Sequence, residues 1–384
     1  MRTFVTLGMA VLTGAALMAA TGTGAHSARA ADPFLIGVIS PLSGPVATVG
    51  VRQTAAIRWW AEDVNAKGGI KGRQVELAVC DDQGNPETAV TCARGHMQHG
   101  VALLLDTSVA GTIKAIMPLL DKGPVMIVAS PIINPDPKTY VFQTSPTDLE
   151  ITRGLLNYLQ ANHKDRLAMI ASTDATGEVG VADAQAVFPP ANVKLALSRI
   201  DLRSNDASIQ LANVLKDNPP LLYSAYSGGG AATVVKSFTN LGFTMPLVIS
   251  NANLTDAFMA LIKSDMPPRL LGLGLNSMVP EFVSDPAEKA RIEYFKTSFE
   301  ASRKESVDLL SHLGLMLADT ANAVLANVPD PKNAAATKAY LEQARIKSVA
   351  TIHFSPTSHV GLTAESVAVL EYKKDHWAKA DPLK

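Results

Sequence analysis

The chain has 384 residues, 47% of them apolar and 18% charged, and a formal net charge of −1, which is the composition of a globular protein. A balance this close to neutral gives no electrostatic reason to expect nucleic acid or an anionic membrane as partner. The length exceeds what one hydrophobic core usually organises, so two lobes are the expectation.

The first thirty residues read as an export leader. Arg2 precedes an apolar run from Phe4 to about Ala20, and a small-residue stretch ends Ala28, Arg29, Ala30, which suits cleavage after Ala30. The apolar run falls short of the roughly 20 residues a membrane span needs and is interrupted by Gly8 and Gly14, which argues against a retained anchor. Cleavage removes Arg2 and Arg29 and takes the net charge from −1 to −3. No cysteine near the cleavage point can carry a lipid, so a chain free in the bacterial periplasm or its equivalent is expected. No later apolar run reads as long enough to span a membrane. In that oxidising compartment Cys80 and Cys92 are expected to form a disulfide, the alternative being two buried free thiols.

After the leader, strand-like and helix-like segments alternate. "FLIGVIS" (34–40) reads as a strand, and the next helix puts Ile57, Trp60, Ala61 and Val64 on one face before Gly68 and Gly69 end it. Trp60 is assigned to the core by this periodicity and Trp59, off that face, to the surface. "QVELAVC", a helix opened by Pro86 and Glu87, "VALLLD", a helix from about Ala110 to Asp121 and "VMIVA" complete a parallel βαβ series. "FQTSPTD" (142–148) has the punctuation of a hinge. A second series follows: "DLEITRGLLNYLQAN" and "RLAMIAS", "GEVGVADAQAVF" and "NVKLALSRI", "DASIQLANVLKDN" with Asn205 or Asp206 as cap and "PLLYSAY", then "AATVVKSFTNLG" and "PLVIS". From about Leu270 the pattern turns mainly helical, with helices near 286–302, 309–328 and 333–344, and a last strand ending in a polar tail. The fold class this implies is α/β: two doubly wound, Rossmann-like lobes with a hinge.

In open α/β sheets ligands sit beyond the carboxyl ends of the strands, where helix N-termini present free N–H groups. At those positions stand "SPLSGPVATVG", Thr107 and Ser108, and Ser130 with Ile132 and Ile133 in the first series. The second series contributes Thr173, Asp174 and Thr176, then Tyr226 and Ser227, then Asn251. Ser43 and backbone N–H groups give the first loop polarity, Gly44 and Gly50 allow close approach, and Val46 and Val49 add apolar surface. Such a ring of hydroxyls, amides and small apolar groups with one carboxylate orients a small solute, yet lacks a general acid and base pair. Single Ser and Thr residues at such turns ordinarily just cap helices; their recurrence at successive strand ends is what suggests a site. No Walker or dinucleotide fingerprint accompanies "SGGG", no G-x-S-x-G elbow is present, and the histidines are scattered apart from His96 and His99, so no cofactor, metal or catalytic residue is implied.

The segment "IGVISPLSGPVATVG", the helix end "DVNAKGGIKG" and the turn "DDQGNPETAV" resemble the start of the Leu/Ile/Val-binding type of periplasmic solute-binding protein of ABC uptake systems. The resemblance extends more loosely over the rest of the mature chain, including "GFTMPLVIS" and the helix near 309–328. It implies a type I periplasmic-binding fold with three crossovers, a ligand in the cleft and an inner-membrane ABC permease as partner, the protein itself being a monomer. The division expected is 31–145 for the first part of lobe 1, 146–273 for the first part of lobe 2, 274–355 for the return to lobe 1 and 356–384 for a segment of lobe 2. The family's amino-acid contacts match poorly. Ala110 or Gly111 stands where the family has a Ser, Ile132 and Ile133 where it has a Thr, Val49 where it has an aromatic ring, and Asn251 where it has the Glu that meets the ammonium. Thr107, Ser108 and Ser130 are then candidates for a carboxylate, and Asp174 for a positive group or a hydroxyl. The expected ligand is an amino acid or a carboxylate, leaning to a carboxylate with an apolar or aromatic body and no ammonium. A secreted hydrolase and a sensory receptor are the rival readings.

Overall fold

A computed structural model describes residues 32–107 and 109–383. The leader expected over residues 1–30 lies outside the described residues, and so does Ser108.

The first series runs β1 (Phe34–Ser40), α1 (Ala47–Ala66), β2 (Val75–Asp81), α2 (Pro86–Gln98), β3 (Leu103–Asp106), α3 (Ala110–Ile116), β4 (Met126–Val128) and β5 (Val141–Gln143). Its strands pair in parallel in the order β2-β1-β3-β4-β5. The second series runs α4 (Asp148–Ala161), β6 (Arg166–Ser172), α5 (Ala175–Val187), β7 (Lys194–Ile200), α6 (Ser208–Leu215), β8 (Leu222–Ala225), α7 (Gly229–Asn240), β9 (Leu247–Ile249), α8 (Asp256–Leu261) and β10 (Leu270–Leu275). It repeats the same winding, β7-β6-β8-β9-β10. In both sheets the order reverses beside the first strand of the series, which opens a crevice at the carboxyl ends of β1 and β3 and of β6 and β8.

The rest of the chain serves both sheets: α9 (Pro286–Arg303), α10 (Leu309–Asn327), α11 (Ala334–Leu341), the small antiparallel pair β11 (Arg345–Lys347) and β12 (Thr351–His353), then β13 (Val367–Lys373) and β14 (His376–Lys379). The helix α10 packs along α1 and against β3 and β4, whereas β13 returns to the second sheet antiparallel to β10. Both lobes are thus doubly wound α/β units, as the alternation of segments implies.

Local chemistry explains most boundaries. Asn85, Thr147 and Asp174 accept backbone N–H bonds at the starts of α2, α4 and α5. Pro118 tightens the end of the helix expected over Ala110 to Asp121 into a 3-10 turn, Met117–Leu120. The cap of α6 is Ala207 rather than Asn205 or Asp206, although the Asp206 carboxylate does take the Ser208 amide and hydroxyl. The polar tail expected after the last strand folds back as β14, with Lys374 and Asp375 both at positive φ in the turn.

Two expectations about the core are corrected. Trp59 is buried, its ring 5.0 Å from Phe295 and 5.9 Å from Tyr294, because α9 covers a second face of α1. The helix α10 is long and apolar enough to cross a membrane by length and composition, contrary to the expectation for later segments, and it is 78% buried within the protein. Its closeness to α1 depends on Gly314, where a Cβ would lie 2.3 Å from the Gln53 carbonyl oxygen. Cys80 and Cys92 are joined, with Cα atoms 5.8 Å apart, tying β2 to α2.

Candidate functional site

The loop after β1 is held from the neighbouring turn. Leu42 and Ser43 donate their amides to Asp81 Oδ1 at 2.8 and 3.3 Å, and Ser43 Oγ donates to Asp81 Oδ2 at 2.6 Å. Burial pushes the Asp81 carboxyl up, but the Ser43 hydroxyl and the amides of Gln83, Leu42 and Ser43 outweigh it and hold the group below its usual value. Gly44 has φ +84, and Gly50 sits so near Pro41 that a Cβ would lie 2.4 Å from its carbonyl oxygen. The close approach anticipated at both glycines is therefore to the protein's own backbone. Val49 is half-buried in the first turn of α1.

Next to this loop, Thr107 is buried and donates its hydroxyl to Ser40 Oγ at 2.7 Å, and Thr54 donates to the same oxygen at 2.8 Å. Ser130, after β4, is half-buried and carries no protein hydrogen bond. Ile132 is half-buried and Ile133 is part of the core under α3.

Across the crevice, Asp174 Oδ1 accepts from Ser172 Oγ at 2.7 Å and from the Gly177 amide at 2.9 Å, which leaves Oδ2 uncommitted. The Tyr226 ring is in the core of the second lobe and its hydroxyl donates to the Leu202 carbonyl at 3.3 Å. Burial, then the carboxylates of Asp174 and Asp201, push that phenol up. Asn251 opens a 3-10 turn after β9, half-buried and with its side-chain amide unpaired. The hydroxyl protons of Ser43, Thr107 and Tyr226 are thus spent on internal bonds, while Ser130, Asn251 and one oxygen of Asp174 remain available. Helices α1 and α7, with Val46 and Gly228 at their N-caps, have no side-chain cap, although the Ala47, Val49 and Ala231 amides of their first turns bond to the Gly44, Val46 and Gly228 carbonyls.

Between the sheets lies a small cavity of about 20 Å3, room for about one water. Ala129 and Pro131 wall it from the first lobe, Leu273, Gly274 and Leu275 from the strand β10, and Leu309 and Leu313 from α10. Its polar side chains are Asn251 and Ser145. Sequence reasoning missed Ser145, because it stands in the crossover after β5 and not at a strand end; the Ser-Pro step of the segment read as a hinge was its only signal. A second, much larger cavity of about 440 Å3 flanks the crossovers, lined by Lys114 and Ile132 on one side and Asp148 and Asp183 on the other.

The arrangement offers recognition and little chemistry. Among the described residues no group of three or more His, Cys, Asp or Glu could hold a metal. A Ser–His contact does occur, Ser277 Oγ to His312 Nδ1 at 3.0 Å, but both residues are buried and desolvation lowers the His312 pKa to about 4. Enclosed in the core beside α9, this pair has no access to a solute.

Known proteins share this architecture. A solved structure titled an ABC transporter substrate-binding protein, from Sphaerobacter thermophilus, matches with a TM-score of 0.77 at 19% identity, over 91% of this chain and 97% of that one. The Leu/Ile/Val-binding protein homolog 3 of Brucella melitensis is 32% identical over 166 residues, which is 42% of this chain and 45% of that protein. The leucine-, isoleucine-, valine-, threonine- and alanine-binding protein of Pseudomonas aeruginosa is 24% identical over 73% of this chain and 75% of its own length. The chain thus matches less than half the length of the first of these two relatives and three quarters of the second. The family model described as periplasmic binding protein matches residues 33–376, and on that extent the chain belongs to the periplasmic binding protein family.

Proposed function

We propose that this protein is a solute receptor that closes two lobes over one small organic molecule and presents it to an inner-membrane ABC permease. The observation that carries the reading is the crevice at the carboxyl ends of the strands of two like-wound sheets, where Ser130, Asn251 and one oxygen of Asp174 stay unpaired beside apolar side chains, which is the make-up of a small-molecule site. Lobe 1 comprises 31–145 and 274–355, and lobe 2 comprises 146–273 and 356–384; membership of the strands in the two sheets supports this division. Closure is favoured by ligand because both lobes contact it, and no bond is made or broken. Export through a cleaved leader places the receptor free in the periplasm, as a monomer.

The ligand is a carboxylate with an apolar body. Ser130 and the uncapped first turn of α1 supply donors for the carboxylate, with Thr107 offering its remaining lone pairs to a protonated group. Asn251 gives an ammonium no counter-charge, whereas the oxygen of Asp174 that carries no protein hydrogen bond could supply one. The named relatives, by contrast, are described as binding branched-chain and other amino acids. A thermal-shift and calorimetric screen of leucine, isoleucine and valine beside aliphatic and aromatic acids tests the reading, because bound ligand raises apparent stability. Branched-chain amino acids shifting the melting point while every ammonium-free acid fails would replace the carboxylate by an amino acid. A solute recovered chemically changed would replace the receptor by an enzyme.

A further inference from the structure

The larger cavity beside the crossovers holds charged groups that the crevice does not use. Asp148 at the start of α4 and Asp183 on α5 line one side of it, and neither carboxyl makes a hydrogen bond or ion pair within the protein. Arg153 is committed to Glu150, which also takes the Ala364 amide, so it gives neither aspartate a direct partner. Beside the two carboxyls stands the Tyr223 phenol, 7% exposed and close enough for both charges to push its pKa up, and its hydroxyl makes no hydrogen bond in the protein either. On the opposite side Lys114 of α3 is exposed and carries no ion pair, and Ile132, Val179 and Leu362 add apolar wall. Facing carboxylates repel each other and lose hydration on burial, so a pair left without a counter-charge at the edge of a cavity calls for a cation from inside it. Among the described residues no group of three or more His, Cys, Asp or Glu could hold a metal, which leaves an organic ammonium.

We propose that this cavity is a second solute site, taking an ω-amino acid whose ammonium sits between Asp148 and Asp183 and whose carboxylate meets Lys114. An ammonium brings three N–H donors, which match the two carboxylates and the phenol oxygen beside them. The methylene chain lies against Ile132, Val179 and Leu362. An α-amino acid carries both charges on one carbon and does not serve both walls of so wide a space, whereas a chain of several methylenes does. The volume of about 440 Å3 falls within the roughly 300–1,000 Å3 of small-molecule pockets. Lys114 and Ile132 belong to the first strand and helix series and Asp148 and Asp183 to the second, so the solute braces the two lobes beside their crossovers. None of Ser130, Asn251 and Asp174 lines this cavity, so the site is separate from the crevice.

Calorimetric titration of the full chain with 5-aminopentanoate and 6-aminohexanoate tests the site, with hexanoate as the control that lacks an ammonium. At pH 7.5 wild type should bind at least one of the two ω-amino acids. Asp148→Asn should weaken that binding by about tenfold or more, as the loss of a charged partner does, and Lys114→Met, at the exposed end, by about threefold. Hexanoate should show no response to Asp148→Asn. The pH profile is the readout that a merely structural role would not move. Burial and then Asp183 raise the Asp148 pKa to about 6, the other charged or titratable groups around it being Glu150, Arg153, Tyr223 and Lys114. The site thus loses negative charge as the pH falls, and binding to wild type should weaken by about tenfold from pH 7.5 to pH 5, a slope that should shrink in Asp148→Asn. Binding of neither ω-amino acid, or equal binding in wild type and Asp148→Asn, overturns the inference and leaves the reading of the crevice intact.

Discussion

Replacing Asp148 by asparagine should stabilise the protein at neutral pH and do nothing in acid. Asp148 is the first residue of α4, where the helix dipole favours a negative charge. Its surroundings outweigh that preference: burial, then the facing Asp183 carboxylate on α5, raise its pKa from 3.8 to about 6. Asp183 is itself pushed up by burial against the pull of Arg153, and burial together with the two carboxylates pushes the Tyr223 phenol up as well. Because the native pKa lies above the unfolded one, the folded chain binds the extra proton between about pH 4 and pH 6. Stability from this group is therefore full below about pH 4 and lost as pH rises through about 6. The rise from 3.8 to about 6 corresponds to about 3 kcal/mol, and partial exposure of the group reduces this to about 2 kcal/mol. With an unfolding entropy of about 2.1 cal/mol/K for each of roughly 350 residues, Asp148→Asn should raise Tm by about 3 °C at pH 7.5. Melts followed by circular dichroism from pH 4 to 8 check this. A gap between variant and wild type that does not shrink as the pH falls, or a variant less stable at pH 7.5, refutes the reasoning.

Gly314→Ala should cost about 1 to 3 kcal/mol, because the added methyl meets the Gln53 backbone on α1 and neither helix can yield alone; an unchanged urea midpoint counts against that packing. The Cys80–Cys92 bond closes a short loop, so its removal by paired serine substitution should lower stability by about 3 kcal/mol or somewhat less, and thiol titration of the denatured, unreduced protein should find no free thiol. Asp174→Asn retains a side-chain oxygen to cap α5, so its Tm should stay within about 1 °C of wild type. Affinity for a carboxylate without an ammonium should be unchanged in that variant, and a loss of tenfold or more would show that Asp174 meets a charged group of the ligand.

The alternation of strands and helices is legible in the sequence because each strand is a short apolar run bounded by turn residues and most helices start at a capping side chain. Asn85, Thr147 and Asp174 announce α2, α4 and α5 in this way. Long-range pairing is what local pattern cannot give. The hydroxyls of Ser43, Thr107 and Tyr226 look available along the chain, yet their partners Asp81, Ser40 and Leu202 come from other turns of the fold. Trp59 is misread for the same reason, since the helix that buries it arrives more than two hundred residues later. Ser145 escapes notice because crossovers carry no periodicity against which an inward-facing residue can be recognised.

The helix α10 also bears on the order in which the molecule can be assembled. The strands of the first sheet are complete by Gln143, but the helix that packs along α1 and against β3 and β4 begins only at Leu309. As the chain emerges from its amino end, the first lobe's apolar surface stays uncovered while the whole β6 to β10 series is being delivered. Contacts of such long sequence separation form slowly and leave aggregation-prone surface exposed meanwhile. A fragment ending after β10 should accordingly hold an incomplete first lobe, and shielding of nascent chain is most needed in the interval before residue 327 appears.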